Sequence, residues 1–103
     1  MKKNNIPILI ADDKLVLQLY VSGMSPKSME AIGNIKKICS GLVEDSFKLE
    51  IIDLYKHPEL ASEQQIVFSP SLIKRLPLPK KTLIGTFSDT EKVIRGLGIP
   101  IKE

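Results

Sequence analysis

Three serines, Ser22, Ser25 and Ser28, stand where an apolar run ends and a helical pattern begins. A strand-to-helix turn of this kind is where a dithiol redox centre carries Cys-x-x-Cys. Here the turn reads Ser22-Gly23-Met24-Ser25-Pro26 and holds no cysteine. A serine nucleophile needs a positioned base, and none is evident from spacing, so capping accounts for the cluster. The single cysteine, Cys39, permits neither an internal disulfide nor a dithiol mechanism. It reads as a half-buried packing residue, because a reactive thiol needs exposed, electropositive surroundings. His57 is the only histidine and precedes a proline; with no second His and no Cys at ligand spacing, no metal site is indicated. Asp12 and Asp13 read as a solvated pair, and Asp89 and Glu91 as helix N-terminal carboxylates. The one charge feature with a functional reading is the basic group Lys74, Arg75, Lys80 and Lys81, suited to an acidic patch on a partner. A scaffold for chemistry without the chemical groups points to binding, with no cofactor.

The elements that must position these residues are readable. Leu15 to Val21 is a near-continuous apolar run of strand length, the pattern of a strand covered on both faces. Ser25 is a good N-cap and Pro26 a good first helical residue. The helix that follows places Met29, Ile32, Ile35, Ile38 and Leu42 in one stripe, with Cys39 beside it and Lys27, Glu30, Lys36 and Lys37 off it. Leu49 to Leu54 is a second strand, and Pro58 opens a short helix through about Gln65. Between 64 and 86, Pro70, Pro77 and Pro79 interrupt short apolar runs that suit strand or helix, and X-Pro bonds have a weak trans preference. Thr82 to Gly85 suits another strand. Ser88-Asp89-Thr90-Glu91 reads as a capping box opening a last helix through Val93, Ile94 and Leu97, ended by Gly96 and Gly98. The order is strand, helix, strand, helix, strand, strand, helix. A right-handed parallel βαβ unit followed by a hairpin and helix predicts a thioredoxin-like α/β sandwich.

The totals set the remaining bounds. At 103 residues the chain predicts one domain, residues 15–103, preceded by a polar extension over 1–14. Hydrophobic content of 43% and charged content of 26% are ordinary for a globular chain. No leader and no membrane-spanning run is evident, so the expectation is cytoplasmic and not membrane-bound. A net charge of +3 is mild, and with no tryptophan and 5% aromatics the chain is poorly supplied for base stacking. Nucleic acid is not an expected partner.

Leu19-Tyr20-Val21-Ser22-Gly23 followed by Ser25-Pro26-x-Ser28 resembles the opening motif of the KaiB family. The likeness continues through Ile51-Ile52-Asp53-Leu54, Pro58-Glu59-Leu60-Ala61, Ser69-Pro70-Ser71-Leu72 and Leu76-Pro77-Leu78-Pro79. It closes with Ile84-Gly85-x-x-Ser88-Asp89-x-Glu91-Lys92-Val93 and Gly96-Leu97. It departs at Gly98, where cyanobacterial members usually carry an acidic residue, and at Glu30, where they tend to carry a basic one. The resemblance implies a non-enzymatic regulator of KaiC, a hexameric ATPase that phosphorylates itself, with KaiA or a sensor histidine kinase as further partners. It also implies a metamorphic chain. A tetrameric ground-state fold (βαββααβ) alternates with the thioredoxin-like monomer, and dimers or tetramers store the resting form. On this reading Ser25, Lys27, Lys74, Arg75, Lys80 and Lys81 contact the partner, and Pro70, Pro77, Pro79, Gly96 and Gly98 govern the fold switch. The output is circadian timing or stress tolerance. The alternative is a stand-alone thioredoxin-like adaptor for a histidine kinase or a stress-response pathway.

Overall fold

The computed structural model describes residues 15–42 and 46–98. The expected extension over 1–14, with Asp12 and Asp13, lies outside them, as do residues 99–103. Four strands, β1 (Leu15–Val21), β2 (Phe47–Asp53), β3 (Ser71–Leu76) and β4 (Lys81–Ile84), form one sheet in the order β2-β1-β3-β4. Three helices, α1 (Pro26–Cys39), α2 (Glu59–Glu63) and α3 (Thr90–Leu97), complete the element order expected from the sequence.

The helix between β1 and β2 makes that pair parallel, in register from Leu15 opposite Phe47 to Val21 opposite Asp53. The β3–β4 hairpin is antiparallel, and β3 runs antiparallel to β1 with a register shift at Val16/Leu17. Because β1 is central, its alternate side chains enter two separate cores. Leu15, Leu17, Leu19 and Val21 pack with Leu72 against Ala31, Ile35 and Cys39 of α1 and Val93 and Leu97 of α3. On the opposite face Tyr20, Ile52 and Ile73 pack with Leu54, Leu60 and Ile66, the side that α2 covers. This explains the near-continuous apolar run in β1, which is interrupted only at the partly buried Gln18 on the α2 face.

Four local expectations are corrected. The buried face of α1 is Ser28, Ala31, Ile35 and Cys39, while Met29 is half exposed and Ile32, Ile38 and Leu42 flank the core. Small side chains at the centre of the stripe let the helix lie close to the sheet, and the larger isoleucines fill its sides. Cys39 is therefore buried rather than half-buried. Helix α3 is capped one residue later than the capping box implies. Asp89, not Ser88, accepts from the Lys92 amide at 3.1 Å, and Glu91 pairs with Arg95 at 2.6 Å instead of reaching back. Helix α2 is also shorter than expected and ends at Glu63. The apolar residues Val67 and Phe68 beyond it are exposed and join no strand.

Candidate functional site

The cysteine-free turn sits at the carboxyl end of β1, held by a closed set of hydrogen bonds. Ser25 Oγ accepts from the Ser28 amide at 3.2 Å, as an N-cap should, and donates to Ser28 Oγ at 2.9 Å. Ser28 Oγ in turn accepts from the Ser22 amide at 3.2 Å and donates to the Ser22 carbonyl at 3.4 Å. Both hydroxyls are thus spent on the turn itself, and no histidine or carboxylate faces them through these bonds. Gly23 adopts φ +67 and donates its amide to Asp53 Oδ1 at 2.9 Å. The same oxygen accepts from the Tyr55 amide at 2.9 Å. These two backbone donors, Gly23 foremost, hold the Asp53 carboxyl below the usual aspartate range.

Cys39 lies at the far end of α1, where burial pushes its thiol above the ordinary value. A dithiol site would need its sulfurs in the turn. The fold therefore keeps the geometry of a redox turn and spends the turn's polar groups on structure.

The basic group inferred from the sequence does not form one surface, because Lys74 and Arg75 are adjacent on a strand and point to opposite faces. Lys74 is only 3% exposed, on the α1/α3 side, with its Nζ close to Gly98. As a solvent-facing partner contact it is corrected: in this fold a partner cannot reach it. Arg75 lies half-buried on the α2 side. Its Nε donates to Gln18 Oε1 at 2.6 Å, and its Nη2 donates to Gln64 Oε1 at 2.6 Å and Tyr20 Oη at 3.4 Å. Lys80 and Lys81 are exposed at the start of β4, and Lys27 is exposed on the first turn of α1 beside Ser25.

Pro70 is buried before β3, whereas Pro77 and Pro79 bracket the exposed Leu78 in the β3–β4 connection. The peptide bonds preceding all three are cis. Gly98 is the left-handed C-cap of α3, with φ +72, and Gly96 packs under Leu83. Sequence reasoning missed Tyr55, whose ring covers Gly23, and the amide pair Gln18 and Gln64 that fixes Arg75. The alternation of Gln18 with apolar neighbours in β1 was the available signal for a polar position on the α2 face.

A KaiB domain matches residues 18–99. The chain is 45% identical over 87 residues to the circadian clock protein KaiB3 of Synechocystis sp., spanning 84% of this chain and 85% of that protein. Among solved structures, the N-terminal domain of SasA from Synechococcus elongatus superposes with a TM-score of 0.67 at 23% identity, over 88% of this chain and 90% of that one. The germline-specific thioredoxin Deadhead of Drosophila melanogaster gives a TM-score of 0.68 at 18% identity, over 92% and 89%. The structural likenesses establish the thioredoxin-like fold. The sequence match, running from the middle of β1 past the C-cap of α3, places the chain in the KaiB family.

Proposed function

We propose that this chain is a non-enzymatic regulator that binds a KaiC-like hexameric ATPase and alters its phosphorylation state, in a clock or a stress response derived from one. The observation that carries this reading is the family match over residues 18–99, which includes the cysteine-free turn and both proline motifs. Relatives of this chain are named circadian clock proteins. Serines committed to capping and a lone thiol raised by burial leave the turn to binding rather than chemistry. Lys27 and Ser25 on α1, together with Lys80 and Lys81, are the proposed contacts. KaiA or a sensor histidine kinase is the proposed further partner.

The reading includes two folds with Pro70, Pro77, Pro79, Gly96 and Gly98 at the switch, and a homo-oligomeric resting state. It is supported by where apolar surface is left uncovered. Val67, Phe68, Leu76, Leu78 and Ile84 are exposed in the second half of the chain, as Met24, Met29 and Ile51 are in the first. Surface of this kind is what a partner or an alternative packing would bury. A partner that binds only one fold draws the population toward it.

Size-exclusion chromatography of the protein, alone and with a KaiC-like hexamer in ATP, tests the reading. The expected result is an oligomer alone and a complex that develops over hours. No complex with a functional hexamer refutes it in favour of an adaptor with a different partner.

A further inference from the structure

On the α2 side of the sheet, three strands each contribute one polar residue to a single row. Glu50 of β2 accepts from Gln18 Nε2 of β1 at 2.9 Å, and Gln18 Oε1 accepts from Arg75 Nε of β3 at 2.6 Å. Gln64, just after α2, accepts from Arg75 Nη2 at 2.6 Å. The row floors an open cavity of about 710 Å³, with Ile52 and Leu60 supplying apolar wall and Lys56 and His57 at its margin. That volume is within the range of small-molecule sites.

The guanidinium in this cavity has no direct ion-pair partner among the described residues. All three of its hydrogen bonds go to neutral acceptors, and no carboxylate lies within 4.0 Å of it among the described residues. Two carboxylates also line the cavity, Glu50 hydrogen-bonded to the Gln18 amide and Asp53 to the Gly23 and Tyr55 backbone amides, and neither pairs directly with the guanidinium. Nη1 has no acceptor among the described residues, so its two N–H groups are available beside a side chain already fixed at Nε and Nη2. The two N–H groups on this one nitrogen diverge, so Nη1 offers a single charge-assisted hydrogen bond to an anion oxygen, from a side chain held before the ligand arrives.

We infer that this cavity binds a small organic anion, a carboxylate or phosphate monoester on an apolar body, with the anionic group on Arg75 Nη1 and the body against Ile52 and Leu60. Lys80 and Lys81 do not line this cavity, and the inference does not depend on the proposed ATPase partner.

The test is calorimetric titration of the full chain with benzoate and with phenyl phosphate. Benzyl alcohol serves as the neutral shape control and inorganic phosphate as the anion without a body. Arginine Nε–H resonances are followed in parallel. At least one aromatic anion should bind saturably, ten-fold or more tighter than benzyl alcohol and than its bodiless counterpart, and should move the Arg75 Nε–H signal. The preferred head group then distinguishes a carboxylate from a phosphate ligand. Arg75→Gln should weaken that binding at least ten-fold. Gln64→Ala, which loosens the guanidinium without altering a strand, should weaken it about three-fold and serves if Arg75→Gln fails to fold. Absence of saturable binding, equal affinity for benzyl alcohol, or unchanged affinity in the folded variants overturns the inference.

Discussion

The ammonium of Lys74 lies 3.9 Å from the position a Cβ on Gly98 would occupy, so a buried lysine ends against the C-cap of α3. A cation is favoured at a helix C-terminus by about 0.3–1 kcal/mol, more in partly buried geometry. Against this stands the partial desolvation of a lysine that is 3% exposed. It has no ion-pair partner among the described residues, and Lys81 is its cross-strand neighbour.

Lys74→Met keeps the apolar stem and removes the charge, so it should leave stability unchanged or raise it by about 1 kcal/mol. Lys74→Glu places a buried carboxylate at the wrong end of a helix and should cost more than about 2 kcal/mol. Urea denaturation of both variants checks the order. A Lys74→Met loss larger than 1 kcal/mol would mean that the ammonium has a stabilising partner.

How much of this was legible beforehand depends on what a side chain's neighbours do. β1, the Ser25-Pro26 start of α1 and the parallel crossover follow from local pattern, because an apolar run, a cap and a connection length each act over a few residues. Lys74 could not be recognised as buried. Its charge says surface, and only the antiparallel placement of β3 under α3 covers it. Ser28 was read as a cap residue, but its burial depends on Ser22 and Ser25 satisfying its hydroxyl. Arg75 is fixed by residues 57 and 11 positions away, a relationship that spacing does not reveal.

Two helical glycines separate intrinsic propensity from packing. A Cβ at Gly33 on α1 would meet nothing within 4 Å, so Gly33→Ala should stabilise by about 0.5–1 kcal/mol. At Gly96 on α3 the same Cβ would come within 2.9 Å of Leu83 Cδ2. Leu83 can swing its methyl groups, but only by disturbing the edge of the main core. Gly96→Ala should therefore gain clearly less than Gly33→Ala, and thermal melts of the two variants under one condition decide it.

The Asp53 carboxyl gives a pH dependence of defined sign. Its folded pKa is depressed, chiefly by the Gly23 amide and then the Tyr55 amide, so the unfolded chain binds its proton more readily. The stabilisation is fully present above the ordinary aspartate value of about 4 and is lost as pH falls through the lower folded value. Asp53→Asn retains an acceptor for the two amides but removes the titration. Wild type should lose more stability than Asp53→Asn between pH 5 and pH 3 (about the window of a shifted aspartate), measured by denaturant midpoints at each pH. Parallel curves would show that the two amide bonds do not favour the charged form.

Lys80 and Lys81 are the surviving members of the basic group inferred from sequence, exposed at the start of an edge strand and without ion-pair partners among the described residues. Charges so placed act on encounter rate and register more than on the packed interface, and they are screened by salt. Lys80→Glu should leave the melting temperature nearly unchanged, since its side chain is exposed, whereas Lys81→Glu places an opposite charge across from Lys74 and should raise it slightly. Each should lower affinity for a KaiC-like hexamer about ten-fold at low ionic strength, mainly through slower association, and the deficit should shrink as salt is added. Surface-plasmon kinetics across a salt series measure both effects. A loss that salt does not relieve would place the lysines in a desolvated contact, and unchanged association would remove them from the interface.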